Sequence, residues 1–552
     1  MADYDAIVCG GGTNGLAAAI RLAEAGWSVC LLEANDDLGG AARTLESTLP
    51  GFRHDFGAAF FPLVAPSPSI IGRDLAPFGL RFVHAPVPAA HPFPGNQAIA
   101  LGRTAVETAA SIDKVHLGDG AAWFALDEAF GEVMKHFLRA QMQRWPFEEL
   151  LKVIGRLRLS GGLQFARLVV SGVSAVVDRF ESDQAKAFLT GPAMHADLQP
   201  EEPGTGIYAL LLSMLGQRFG MPVVEGGTGR ITEALTAKAH HDGVEILTGR
   251  RVDRIVVERG RAVAVEAGGE AVGARRAVIC ALEVGALVRL AGPESFPPRA
   301  LAEIRHYRPG LGTFKVDWAL DGQVPWAAEE CRRAAVVHVG DTVTDMSRSA
   351  WEASHGLLPA KPTLILGQQS LADPSRAPAG KHTLWGYAHV PAAPTGDAGR
   401  PRAKASWSRS GEAFLERMEA AIEAHAPGFR DRVLARRAWS PADLEAADAS
   451  LAGGDISAGS FAIDQQLLFR PGPSWWRWGT PVKGLYLGGA SVPPGAGVHG
   501  ACGDLAARQA LADHDRPRLL ALTAAGAGVV AAAAVAAGRG RRRSGPVDRR
   551  GT

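Results

Sequence analysis

The segment Tyr4-Asp-Ala-Ile-Val-Cys9 runs without a gap into Gly10-Gly11-Gly12-Thr13-Asn14-Gly15, and Leu16 to Ala25 continues with helical, Ala- and Leu-rich composition. Few sequence features constrain a fold more tightly than an apolar strand, a GxGxxG turn and a helix in direct succession. The first glycine allows the tight turn, the second lets backbone approach a pyrophosphate, and the third permits close helix–strand packing. The helix start then offers unpaired N–H groups and a positive dipole to phosphate. Gly26 reads as the helix C-cap, and Trp27 to Glu33 as a second buried strand. One βαβ unit begins a parallel sheet with right-handed crossovers. Glu33 closes the second strand, where a carboxylate suits both ribose hydroxyls and disfavours a 2′-phosphate. The bland alternative, a glycine-rich turn without a ligand, leaves that register unexplained.

The fingerprint alone does not separate FAD from NAD. Leu38-Gly39-Gly40-Ala41-Ala42-Arg43-Thr44 adds a second glycine doublet, with Arg43 available to bring charge near phosphates or flavin. Near the other end, Gly484-Leu-Tyr-Leu-Gly-Gly-Ala-Ser-Val-Pro-Pro-Gly-Ala-Gly-Val-His-Gly500 reads as strand, glycine turn and helix start. A helix beginning at about Val498–Gly500 would aim its dipole at the pyrimidine edge of a flavin and favour the reduced ring.

Between these motifs the texture alternates. Proline-rich loops and helical patterns fill 60–220, with helices through Trp123–Leu189, and a loop at Gly226 opens another helix. Strand patterns follow at Val244–Leu247, Val252–Glu258, Ala262–Ala267 and Arg276–Ala281, and then at Thr313–Leu320, Thr363–Gln368 and Gly484–Leu487. The expected architecture is α/β: a Rossmann-like dinucleotide domain from 1–60, 221–294 and 481–514. An α+β substrate-binding domain is inserted as 61–220 and 295–480. A formal net charge of +1 over 552 residues argues against a nucleic-acid binder. Five scattered cysteines without a CxxC pair argue against a disulfide framework or zinc cluster. The chain opens directly on a strand without a basic leader, so a cytoplasmic location is expected.

The combination Ile7-Val-Cys-Gly-Gly-Gly-Thr-Asn-Gly-Leu16, Glu33, Gly39-Gly40, Gly484-Leu-Tyr-Leu487 and Pro494-Gly-Ala-Gly-Val498 resembles the phytoene desaturase group of FAD-dependent oxidoreductases, in the flavin amine oxidase superfamily. Pro50-Gly-Phe-Arg-His-Asp-Phe-Gly57, Phe314–Leu320, Gly453-Gly-Asp455 and Arg470-Pro471 look most like the branch named pyridine nucleotide-disulphide oxidoreductase domain-containing protein 2. The resemblance, over roughly 3–512, implies a glutathione reductase-like FAD domain in three segments with a substrate domain over the flavin. It implies that Gly10, Gly12, Gly15 and Glu33, with Thr13 and Asn14 in the same turn, hold the ADP half of FAD. Gly39, Gly40, Ala41 and Arg43 would follow the ribityl chain and flavin, Val252 would meet adenine through its backbone, and Gly489, Ala490, Gly497 and Val498 would close over the ring. Relatives often carry Arg where this chain has Ala41, so Arg43 must compensate or that contact is missing. The branch name suggests a redox disulfide, but Cys9 and Cys30 fall in core strands and read as small hydrophobes.

The catalytic candidates are Lys315 and His499. Lys315 lies in the alternating strand Thr313–Leu320, reading either as a group facing the flavin or as a strand lysine pointing to solvent. His499 reads as a proton shuttle or as a cap of the turn. His54 and Asp55 are expected near the ring, and His382, Trp385 and His389 as part of a substrate cavity. Trp475-Trp476-Arg477-Trp478 reads as a surface or membrane face, or as aromatics for an amine site. Leu519 to Gly538 is a charge-free stretch of twenty residues, ten of them Ala, followed by Arg539-Gly-Arg-Arg-Arg543. It reads as a membrane anchor or as an Ala-rich helix. The resulting expectation is an FAD enzyme moving hydride from a C–C bond of an apolar, isoprenoid-type substrate to flavin N5. Oxygen, quinone or NAD(P) would reoxidise the flavin. An amine oxidase, a redox-neutral isomerase and a non-catalytic flavoprotein remain as alternatives.

Overall fold

The computed structural model describes residues 3–515, except 65–66, 144–150, 153–154, 156–164, 166, 169, 402 and 467–468. The tail from 516 onward, including 519–543, lies outside the described residues, as does most of 144–170. Among the described residues no helix is long and apolar enough to cross a membrane.

Strand β1 (Asp3–Cys9) sits in the interior of a seven-stranded sheet, in parallel register with β2 (Val29–Leu32) on one side and Glu270–Cys280 on the other. Ala6 to Cys9 are 0% exposed, which is why this strand reads as a continuous apolar run. Helix α1 (Thr13–Glu24) returns the chain from β1 to β2. Its third glycine is required by space, because a Cβ on Gly15 would lie 1.9 Å from the Gly10 carbonyl oxygen. The sheet order is Val252–Glu258, Arg261–Ala267, Glu270–Cys280, β1, β2, Glu245–Leu247, with Leu485–Leu487 also parallel to Glu270–Cys280. The strand expected at Arg276–Ala281 begins earlier, at Glu270. Its first half pairs antiparallel with Arg261–Ala267, and its second half runs parallel to β1 and to Leu485–Leu487.

A second seven-stranded sheet orders Val433–Trp439, β3 (Gly312–Leu320), β4 (His382–Val390), Leu364–Gly367, Ala334–Val339, Val87–Phe93 and Gln97–Leu101. All nine residues of β3 are buried, although its alternation reads as one wet face. Phe314, Val316, Trp318 and Leu320 enter an apolar cluster, while Lys315 and Asp317 pair with each other on the opposite, equally buried face. The alternation marks a buried polar face.

The Arg376 side chain is 0% exposed and joins three distant stretches. It donates from Nη1 to Asp55 (2.9 Å), from Nε to Asp373 (2.8 Å) and from Nη2 to the Val224 carbonyl (3.1 Å). Asp55 also accepts from the Thr228 N–H and the Thr44 hydroxyl, and Asp373 from the Gly226 N–H. Burial pushes the Asp373 carboxyl up, but hydrogen bonds from Ser375, Gly226 and Arg376 outweigh it and hold the group below its ordinary range. Its contribution to stability is therefore present above that range and lost as pH falls through the lowered value. Arg376→Met leaves two buried carboxylates without their cation and is expected to cost about 3–5 kcal/mol in denaturant unfolding. The variant should also lose less on acidification than the wild type. A cost under about 1 kcal/mol, the level of a surface pair, would contradict this role.

Candidate active site

At the end of β1 the two glycine motifs meet directly. The Gly39 N–H donates to the Gly11 carbonyl (2.9 Å), and Gly12 and Gly39 form an isolated β-bridge. Helix α1 starts at this bridge with no side-chain cap on its first turn, leaving backbone donors for a ligand. A Cβ on Gly12 would meet nothing nearer than the Gly39 oxygen at 4.0 Å, so this glycine faces open space. Asn14 Oδ1 is buried there without a hydrogen-bond partner. At the end of β2, Glu33 accepts from the Gly11 N–H (2.7 Å) and from the Asn35 N–H (2.9 Å). Bare donors, an orphaned acceptor and a strand-end carboxylate fit the pyrophosphate and ribose of FAD.

From this cradle a cavity of about 470 Å³ opens toward the second sheet. Gly12, Thr13, Asn14, Gly39, Gly40 and Ala41 form one wall, and Ala490, Gly497, Val498 and His499 another. Much of the remaining lining is apolar, with Phe60, Leu63, Phe137, Ile207, Met221 and Trp385. Gly10, Gly15 and Gly489 do not line it. They let neighbouring backbones approach, and a Cβ on Gly489 would lie 2.0 Å from the Leu282 oxygen. Glu33 and Val252 also lie outside this cavity, and the Arg250 N–H, two residues before Val252, donates to the Glu33 carbonyl (2.7 Å).

Several expected positions differ. Arg43 does not reach the cavity; its guanidinium lies over the Phe56 ring (4.7 Å) and donates to the Ala447 carbonyl (3.0 Å). With Ala41 on the wall, no arginine lines the cavity among the described residues. Lys315 does not point to solvent. Its Nζ lies 2.7 and 2.8 Å from the two Asp317 oxygens, at the cavity wall, and burial lowers its pKa against the opposing pull of Asp317. Asp317 also accepts from Ser47 (2.9 Å) and Trp439 (3.0 Å), and His54 Nδ1 stands 3.7 Å away. His54 and Asp55 thus lie behind the wall, and burial pushes the His54 pKa down to about 4.

His499 lines the cavity, but its Nδ1 accepts from the Ala501 N–H (3.0 Å) at the start of the helix over 501–515. Burial lowers its pKa to about 4, so near neutrality the ring is an uncharged cap. That helix begins at 501, after Gly500 at φ +66°. Of the three β4 residues expected there, His382, Trp385 and His389, only Trp385 lines the cavity, donating to the Gly57 carbonyl (3.1 Å). His382 turns to Ser370, and His389 lines a separate small void. Trp475 and Trp478 are buried and donate to the carbonyls of Ala300 and Pro493, so these two do not form a surface face. All five cysteines are free and buried, and burial pushes the Cys30, Cys280 and Cys502 thiols up to about 12. Sequence reasoning missed Asp317, Tyr387 and His195. The Lys315-x-Asp317 spacing, which puts both groups on one strand face, was the available signal for the first.

A family described as flavin containing amine oxidoreductase matches residues 15–511. The chain is 29% identical to pyridine nucleotide-disulfide oxidoreductase domain-containing protein 2 of Rattus norvegicus, over 92% of this chain and 93% of that protein. It is 25% identical to phytoene desaturase (neurosporene-forming) of Cereibacter sphaeroides, over 93% and 95%. A solved oxidoreductase from Methanosarcina mazei shares the fold at a TM-score of 0.60 and 19% identity, covering 92% of this chain and 99% of that one.

Gly12 has φ −69°, open to any residue, and free space at its Cβ position. Gly12→Leu is therefore expected to leave the circular dichroism of the FAD-free protein unchanged while FAD no longer copurifies. Full FAD occupancy in this variant would remove the cradle from this turn.

Proposed function

The chain belongs to the flavin-containing amine oxidoreductase family, and from that premise we propose that this FAD-dependent oxidoreductase desaturates a carbon–carbon single bond of an apolar, isoprenoid-type substrate, taking hydride from one of its two carbons. FAD, when bound, supplies the two-electron acceptor, and oxygen, a quinone or NAD(P) would reoxidise it. The uncapped backbone N–H groups of Thr13 and Asn14, with Gly12, Gly39 and Gly40 leaving room beside them, would hold its phosphates and Glu33 its ribose, with Ala41, Ala490, Gly497 and Val498 against the ring end.

The observation that carries the reading is the polarity of the cavity. Its lining is mostly aliphatic and aromatic, and each carboxylate on it already has partners. Glu283 accepts from the Gly285 N–H and Arg289, Asp448 from the Ser450 N–H, and Asp455 from the N–H groups of Gly310, Ser457 and Gly459. Lys315 is tied to Asp317. A long apolar chain entering here leaves these hydrogen bonds in place, whereas an ammonium group would have to compete with the N–H donors for Asp448 or Asp455. The walls thus orient substrate by shape and keep the reacting carbon dry. The phytoene desaturase relative supports the same reading, while the family description keeps amine oxidation as the competing one.

The test is product analysis after incubating the FAD-loaded protein with phytoene in liposomes and a quinone. The expected product has lost two hydrogens and gained one conjugated double bond. Oxidation of a primary amine to its aldehyde with phytoene unchanged would overturn the proposal. So would a product of unchanged mass with a moved double bond.

A further inference from the structure

Behind the cavity wall lies a chain of hydrogen-bonded rings that the cofactor cradle does not use. The Tyr387 hydroxyl, on β4, stands 3.3 Å from His195 Nδ1, and His195 Nε2 stands 2.9 Å from His338 Nε2. Tyr387 and His195 line the cavity, while His338, on the strand Ala334–Val339, is 3% exposed. Gly191 leaves room for this packing: a Cβ there would come within 3.1 Å of both the His338 ring and His91 Nδ1. His91 donates no proton toward His338, because its Nε2 is held by the Gly340 carbonyl (2.8 Å) and its Nδ1 makes no hydrogen bond.

Two facing imidazole nitrogens at 2.9 Å need one proton between them, and burial favours the neutral form of both rings, with His195 pushed down to about 4 and His338 held well below the ordinary histidine value. The chain therefore has two polarities. In one, Tyr387 donates to His195 Nδ1 and His195 Nε2–H donates to His338. In the other, His338 donates to His195, His195 Nδ1–H donates to the Tyr387 oxygen, and the hydroxyl hydrogen is free to point into the cavity. The other ionisable wall groups are less free: Lys315 is locked on Asp317, and His499 Nδ1 caps Ala501.

We propose that Tyr387, His195 and His338 form a proton relay that takes the proton lost from the substrate carbon adjacent to the one that gives up hydride. This rests on the desaturation reading of the same cavity. One C–H bond breaks and its electron pair leaves with hydride to FAD. The neighbouring C–H bond breaks and its electron pair becomes the new double bond. Its proton goes to the Tyr387 oxygen as the tyrosine's own proton passes to His195 Nδ1 and the His195 Nε2 proton passes to His338 Nε2, which leaves His338 as a transient imidazolium. The reverse shift returns that proton to water once product has left. A weak base suffices, because a carbon next to an electron-deficient centre releases its proton readily.

The test uses the full-length, FAD-loaded protein with phytoene in phosphatidylcholine liposomes. Tyr387→Phe and His338→Gln are expected to lower turnover about a hundredfold, with FAD content unchanged. Both variants should also lose the solvent deuterium isotope effect of the wild type, a readout that a packing role would not move. Wild-type turnover and isotope effect in either variant would overturn the relay. Should the wild type leave phytoene untouched, the desaturation reading fails first, and nitrogen NMR of the histidine rings decides on the relay. A Tyr387→Phe shift in the His195 tautomer pattern would keep it as a proton path from the cavity, and an unshifted pattern would remove it.

Discussion

A guanidinium with no solvent contact survives only where acceptors surround it, and the placement of Arg376 organises much of this molecule. Its acceptors come from residues 55, 224 and 373, stretches that are remote in the chain and converge here. Asp55, held by Arg376, fixes Thr228 at the start of the helix Gly229–His241 and Thr44 beside the second glycine doublet. The same short hairpin pairs Thr44 with Asp55 and Leu45 with His54, and brings Gly57 against Ala41, where a Cβ would lie 2.6 Å from the Ala41 oxygen. The floor of the cavity thus inherits its geometry from one buried ion network between the two sheets.

What was legible in the sequence was local. The strand, glycine turn and helix at 4–25 are contiguous, and Gly10 and Gly15 each have a steric reason that acts within a few residues or against one neighbouring strand, while Gly12 faces open space. The partnership of Asp55 and Arg376 spans 321 positions and leaves no mark on either residue's neighbourhood. The second sheet was harder to read for the same reason, since it places Val87–Phe93 parallel to Ala334–Val339 across nearly half the described chain. Lys315 shows the limit of periodicity. Alternation tells which residues share a face, and only the surrounding strands decide whether that face meets water.

The candidate site follows from where charge is allowed to rest. Polar groups near the cradle are backbone donors, the unpartnered Asn14 oxygen and one strand-end carboxylate, all suited to a dinucleotide. Beyond it, ionisable groups are paired or held neutral by burial, leaving an apolar volume in which the cofactor carries the electron chemistry. The Tyr387–His195–His338 chain fits that economy, because a proton taken up at Tyr387 shifts the transient charge along its hydrogen bonds to His338, away from the cavity lining.

The most direct measurement is an anaerobic absorbance titration of the FAD-loaded protein, with phytoene in liposomes in one cell and a primary aliphatic amine in the other. The account predicts that the oxidised flavin bands bleach with phytoene and stay unchanged with the amine. Bleaching by the amine alone would show that the apolar cavity does not select the electron donor, and would contradict the account.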